Sequence, residues 1–163
     1  LLTLAERVKT SRDHLDDRIQ QILERARALE KELERIKAKL ASAAGNDLAA
    51  SAIDVGGVKV LAAQVGESDA KALRDLCDQL KQKLGSAVIV LGSVRDGKVN
   101  LVAGVSLDQV QRVKAGELIA MVAQQVGGKG GGRPDLAQAG GNDPSRLPDA
   151  LKTVADWVRQ KLL

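Results

Sequence analysis

Aromatic side chains are almost missing from this 163-residue chain, which has one tryptophan, Trp157, and neither phenylalanine nor tyrosine. Its core must therefore be aliphatic, and with 44% apolar residues the chain can build one globular unit plus an appendage. The same lack removes the platforms on which most readers of single-stranded RNA stack bases, because the one tryptophan lies on a helix where a core role is expected. Cysteine and histidine occur once each, as Cys77 and His14. They exclude an internal disulfide and a metal site of the usual ligand number, and point to a reducing compartment. No apolar run approaches the roughly 18 residues of a membrane span, and the N-terminus is charged rather than signal-like. A soluble, cytoplasmic protein is expected, with no membrane partner. The chain begins with Leu1 and its only methionine is Met121, so a piece of a longer protein is expected. A net charge of +4 and an isoelectric point near 9.3 are compatible with an anionic partner but do not select one.

Residues 1–43 contain neither glycine nor proline, and apolar residues recur at Leu1, Leu4, Val8, Leu15, Ile19, Ile22, Ala26, Leu29, Leu33, Ile36 and Leu40. Steps of three and four make a heptad seam, with Ser11 at one position and a stutter between Leu15 and Ile19. The pattern predicts a straight helix of roughly 60 Å at 1.5 Å per residue. So narrow a stripe on a charged helix needs a second helix to cover it. A second copy, dimerising through Leu15, Ile19, Ile22, Leu29, Leu33, Ile36 and Leu40, is one reading; a helix lying back on its own globular part is the other. Lys31, Arg35 and Lys39 form a basic row beside Glu30 and Glu34 that suits partner selection, RNA contact or plain solvation. His14 and the pair Asp16 and Asp17 read as solvated.

Gly45 fits the position just past a helix C-terminus, which places a boundary there. The sequence then predicts a strand over 58–65, a helix over 69–84 capped by Ser68, a strand over 87–91, and a hairpin turning at Asp96-Gly97. Ser106 to Gln109 fits a capping box opening a short helix, 117–126 reads as another helix, and Pro148 starts a last one whose inner face is Leu151, Val154, Val158 and Leu162. Cys77 falls on the buried face with Leu73, Leu76, Leu80 and Leu84 and reads as core. The expected fold is α+β: a long coiled-coil-like helix over 1–45, then a small globular domain over 46–163 with a mixed three- to four-stranded sheet and packed helices.

The segment GGKGGGRPDLAQAGG, residues 127–141, holds seven of the 16 glycines. It matches neither phosphate fingerprint: the run lacks the Lys-Ser/Thr of a P-loop, and Arg133 stands where the dinucleotide motif has its third glycine. It reads as an exposed loop at the partially negative end of a helix, so an anion there must be held by amides together with Lys129 and Arg133. Arg133 suits a bidentate or stacking contact and Lys129 a point charge. The other reading is a tight turn whose amides Asp135 and Gln138 satisfy.

This segment, preceded by KAGELI at 114–119 and followed by the LPDAL helix with its tryptophan, resembles the C-terminal region of bacterial alanyl-tRNA synthetase along the whole chain. The globular part resembles the DHH-associated domain that these synthetases share with DHH-type phosphoesterases. There the matching loop carries a histidine where this chain has Arg133, and the metal lobe has no counterpart here. The resemblance implies a parent alanine–tRNA ligase using ATP, Mg and Zn in other domains. It implies a non-catalytic fragment without cofactor or metal, whose partners are tRNA, the remaining domains of the parent and a second copy of itself. The implied role is a tRNA-binding and dimerising module that contacts the outer corner of the tRNA and helps aminoacylation and editing act on one molecule. Lys129, Arg133, Gly128, Gly130, Gly131, Gly132 and Gln138 are its expected tRNA-binding residues, with Arg112, Lys114 and Arg146 as candidates to widen the surface. Two alternatives stand beside it: a coiled-coil element that binds no RNA, and a remnant phosphoesterase lobe that binds a small nucleotide.

Overall fold

The structure, a computed structural model, describes residues 14–163, with the backbone alone for Leu15 and for residues 37–44. The chain divides into two compact units, with the boundary between Ala43 and Ala44. Helix α1 (Leu15–Ala50) carries Asp16 and Asp17 in its first turn, where acidic charge suits the positive end of the helix dipole. In the first unit the seam residues Ile19, Ile22, Leu29, Leu33 and Ile36 are 41–64% exposed, and Leu23 joins them at 52%. The seam positions Leu1, Leu4, Val8 and Ser11 lie outside the described residues, as do the side chains of Leu15, Lys39 and Leu40. Arg35 donates two hydrogen bonds to Glu32, at 2.7 and 2.8 Å, and His14 sits 3.9 Å from Asp17.

Gly45 does not end the helix as expected. It lies inside α1, buried, and a side chain there would meet Leu76 Cδ1 at 3.7 Å. At that ordinary contact distance the packing does not enforce a glycine, and the roughly 1 kcal/mol of lost helix propensity does not suffice to stop the helix. Leu48, Ala49 and Ala52 then join a core cluster.

The sheet has six strands: β1 (Ile53–Val55), β2 (Val58–Gln64), β3 (Ala87–Arg95), β4 (Lys98–Val105), β5 (Lys129–Gly132) and β6 (Leu136–Gly141), in the spatial order β1-β2-β3-β4-β6-β5. It is mixed because β2 and β3 are joined through helix α2 (Ala70–Leu84) and run parallel, while every other neighbouring pair is antiparallel. The expectation of three to four strands falls short by β1, β5 and β6. None of the three shows the alternation that marks a strand, since β1 has three residues and β5 is Lys-Gly-Gly-Gly.

Strand β3 is central, and its residues from Ala87 to Ser93 are all buried. Ile89 and Leu91, with Leu61 and Val102, meet Leu73, Cys77 and Leu80 of α2 on one face. Val88 and Val90, with Leu101 and Val105, meet helix α3 (Ala115–Gln125) and helix α4 (Leu147–Leu162) on the other, chiefly through Leu118, Ile119, Val122, Leu147, Val154 and Val158. Each such side chain contributes about 1.5–3 kcal/mol by leaving water. Burial first of all pushes the Cys77 thiol up to about 12, so it stays protonated as a core residue. Trp157 is half-buried against the second cluster, with the Lys161 ammonium 5.2 Å from its ring centre.

The hairpin between β3 and β4 turns at Asp96 (φ 52°) and Gly97 (φ 72°), with Arg95 opposite Lys98, as the dipeptide predicts. The cap of α2 is Asp69 rather than Ser68: the Asp69 carboxylate accepts from the Ala72 N–H at 2.8 Å. The Ser68 carbonyl instead accepts from buried Ser93 at 2.8 Å. Ser106 to Gln109 opens no helix. Its polar groups tie the start of β3 to the end of β4: Ser106 Oγ accepts from the Ala87 N–H at 2.9 Å, and Asp108 accepts from Ser86 at 2.6 Å and Gln109 at 2.9 Å. Hydrogen bonds from Ser106, then Ser86 and Gln109, pull the Asp108 carboxyl down to about 2. Helix α3 starts at Ala115, two residues before the expected Glu117. Among the described residues no helix is long and apolar enough to cross a membrane, and no group of three or more His, Cys, Asp or Glu could hold a metal.

Candidate nucleic-acid interface

The glycine-rich segment is a β-hairpin, not a loop. Residues Lys129 to Gly132 form the edge strand β5, paired with β6 so that Lys129 faces Gly140, Gly130 faces Ala139, Gly131 faces Gln138 and Gly132 faces Ala137. The tip is pinned three times: the Arg133 N–H donates to the Leu136 carbonyl at 2.9 Å, the Ala115 N–H to the Pro134 carbonyl at 2.8 Å, and the Val105 N–H to the Asp135 carbonyl at 2.9 Å. Those bonds hold the hairpin against the start of α3 and the end of β4.

Strand alternation gives the hairpin two unlike faces. Ala137 and Ala139 join the core under α3. Gly130 and Gly132 share their face, and the Gly132 carbonyl lies 3.2 Å from where Gly116 of α3 would carry a Cβ. The other face continues the side of the sheet that α2 covers over β3 and β4. There Lys129, Gly131, Gln138 and Gly140 are all exposed.

The glycines divide accordingly. A Cβ at Gly128 would fall 1.7 Å from the Gly140 carbonyl oxygen, at Gly130 2.1 Å from Ala139 Cβ, and at Gly132 2.7 Å from Ala137 Cα. These three are glycine because their own fold leaves no room. Gly131 has nothing within 4 Å of that position, and Gly140 only the Val99 carbonyl oxygen at 3.6 Å. Neither has a positive φ. The chain itself does not require a glycine at either site.

The amides are less available than a loop would make them. Gly127 and Gly128 donate to the Gln124 and Ala123 carbonyls at the end of α3, and Arg133 donates across the hairpin. Because Arg133 and Leu136 are a hydrogen-bonded pair, alternation directs the N–H groups of Gly130 and Gly132 away from β6, along the free edge. Asp135 satisfies a side chain rather than an amide: its carboxylate accepts from Arg133 at 3.0 Å and steadies a guanidinium that is 68% exposed.

Two grooves flank this face. One, of about 650 Å³, is lined by Lys129, Gly140 and Gly128 with Lys98 and Asn100 of β4. The other, of about 320 Å³, is lined by Arg133, Gly131 and Gln138 with Arg74 of α2. Among the described residues Lys129, Lys98 and Arg74 have no acidic partner. Sequence reasoning missed Lys98, Asn100 and Arg74. Only Asn100 gave a signal, as a polar residue inside an apolar strand; the other two are brought in by the fold. Arg112 donates to the Leu162 carbonyl, Lys114 lies 3.9 Å from Glu117 and Arg146 3.7 Å from Asp143, and none of the three is among the residues lining either groove.

Comparisons with known proteins agree along the chain. Residues 57–160 match the DHHA1 domain family. The chain is 60% identical over 162 residues to the alanine–tRNA ligase of Methylococcus capsulatus, covering 99% of this chain and 19% of that protein. It is 58% identical over 155 residues to the ligase of Cupriavidus necator, covering 95% of this chain and 18% of that one. It therefore spans about a fifth of the length of the curated relatives it matches. Among solved structures, the C-Ala domain of Aquifex aeolicus alanyl-tRNA synthetase superposes with a TM-score of 0.63 at 34% identity, over 67% of this chain and 98% of that domain. With a matched profile over most of the globular unit and a solved domain covered almost completely, the chain belongs to the DHHA1 domain family, among the C-Ala domains of alanyl-tRNA synthetases.

Proposed function

We propose that this chain is the tRNA-binding and self-associating module of an alanine–tRNA ligase, itself without a catalytic centre. The parent joins alanine to its tRNA with ATP in other domains, where Mg and Zn are also used. The module, residues 46–163, contacts the outer corner of the tRNA, and the helical segment, residues 1–45, pairs with a second copy. The observation that carries the reading is the open half of the sheet face, where Lys129, Gly131, Arg133 and Gln138 are all exposed. Without aromatic platforms, such a surface suits shape and backbone recognition: charge-assisted bonds from Arg133, a point charge from Lys129, and close approach over bare backbone. Gly128, Gly130 and Gly132 act by letting β5 lie flat against β6.

The six exposed apolar residues on α1 support self-association, because a stripe of that kind is stable in water when a second helix covers it. The test is one titration of the full chain with alanine-specific tRNA at two salt concentrations, beside sedimentation. Affinity is expected to fall steeply with salt, and Lys129→Ala with Arg133→Ala to reduce the salt slope by about 1 for each phosphate-neutralising cation removed. Leu29→Glu with Ile36→Glu is expected to shift the sedimenting species to monomer. Salt-insensitive or absent tRNA binding would overturn the RNA reading, and an unchanged species in the helix variant would overturn the pairing.

A further inference from the structure

We infer that the open hairpin face holds a ribose–phosphate backbone at two successive places, one in each groove, and that Lys98 and Arg74 supply the second cation at each. The inference rests on the tRNA-binding reading above and gives it a footprint. Each groove joins one residue of the glycine motif to one from elsewhere in the fold: Lys129 with Lys98 in the larger, Arg133 with Arg74 in the smaller. Lys98 arrives because the β3–β4 hairpin carries it, and the register that sets Asn100 opposite Gly140 also sets Gly140 opposite Lys129. Arg74 arrives on the exposed side of α2, one residue along from buried Leu73.

Four cations thus stand around this face, and the one carboxylate in contact with any of them, among the described residues, is Asp135 on Arg133. The lining of each groove holds two cations and no carboxylate, and those cations are carried by strands, a helix and a pinned turn rather than by a mobile tail. Arg133 follows directly on β5, four residues beyond Lys129, about 13 Å at 3.3 Å per extended residue. That separation exceeds the size of one phosphate, so a mononucleotide cannot bridge the two grooves while a polynucleotide can.

The bare floor is shared between the grooves, Gly140 in the larger and Gly131 in the smaller. Both are exposed, and neither needs to be glycine for the fold's own sake, unlike Gly128, Gly130 and Gly132 beside them. A missing side chain that the chain does not require leaves room for something outside it. Gln138 and Asn100 border that floor, and their amides both donate and accept, as a ribose 2′-hydroxyl needs. The chemistry named is therefore an RNA backbone, with the guanidinium forks in one groove and ammonium point charges in the other.

The experiment reads tRNA affinity of the full chain by fluorescence anisotropy at two salt concentrations, for Lys98→Glu, Arg74→Glu and Gly131→Val. Lys152→Glu, exposed on α4 away from both grooves, is the control. Lys98→Glu and Arg74→Glu are each expected to weaken binding about fivefold or more and lower the salt slope by about 1. Gly131→Val is expected to weaken binding with no change in melting temperature, and Lys152→Glu to leave it unaltered. If Lys129→Ala and Arg133→Ala lose affinity while Lys98→Glu, Arg74→Glu and Gly131→Val bind like the parent, the footprint is wrong and the tRNA reading stands. If the unaltered chain shows no salt-dependent binding, both fall. Competition by AMP as effective as that by tRNA at equal phosphate concentration would also overturn the two-place footprint.

Discussion

Strands β3 and β5 belong to one sheet and have opposite characters. The first is central, with seven consecutive buried residues and a helix layer on each face; the second is an edge strand of one lysine and three glycines, all exposed. In β3 the apolar side chains from Ala87 to Leu91 make the structure, and Gly92 is bare because a Cβ would meet Leu147 Cδ1 at 2.8 Å. In β5 the absence of side chains makes it: the backbone lies against β6 more closely than any Cβ allows, and the far face stays bare. Burial is written in residues that are present. The candidate binding face is written in residues that are missing.

The difference can be pressed hardest at Gly128. Gly128→Ala places a methyl 1.7 Å from the Gly140 carbonyl oxygen, backbone against backbone, and is expected to cost about 3 kcal/mol or to detach β5 from β6. Chemical denaturation with amide exchange at residues 129–141 checks it, and a near-neutral result would remove the distinction between enforced and free glycines. Next comes Leu91→Ala, expected to lower stability by about 2–5 kcal/mol through a cavity between α2 and the sheet, with amide exchange of β5 little altered locally. Smallest is Gly131→Val, expected within about 0.5 kcal/mol of the parent by thermal melting, because its side chain enters open space. A large loss there would mean that the fold, rather than a ligand, demands the bare position.

The same contrast explains which features are legible in the sequence alone. The apolar run from Ala87 to Leu91, the Asp96-Gly97 turn, the cap at Gly85 and the inner face of the last helix each leave a side-chain or φ signature, and the structure contains them. β5 and β6 leave none, since glycine and alanine carry too little apolar surface to alternate, so the strands read only as a loop. Capping is half legible. Ser68 and Asp69 are adjacent oxygen-bearing residues at a helix start, and the choice of Asp69 depends on Ser93 taking the Ser68 carbonyl from another strand. Ser106 and Asp108 have the right spacing for a helix start, but Ala87 and Ser86 compete for them across 19 and 22 residues. Of the candidate face, Lys129 and Arg133 stand out in the sequence; Lys98 and Arg74 do not, because their proximity exists only after the sheet is assembled.

An open sheet margin is a hazard as well as an opportunity, for unpaired strands recruit one another into aggregates. Here the last strand is four residues long, opens with a charged lysine, ends before Arg133 and Pro134, and carries no branched or aromatic group that could interlock with an incoming chain. The composition that keeps the surface bare therefore also makes it a poor template for amyloid-like growth.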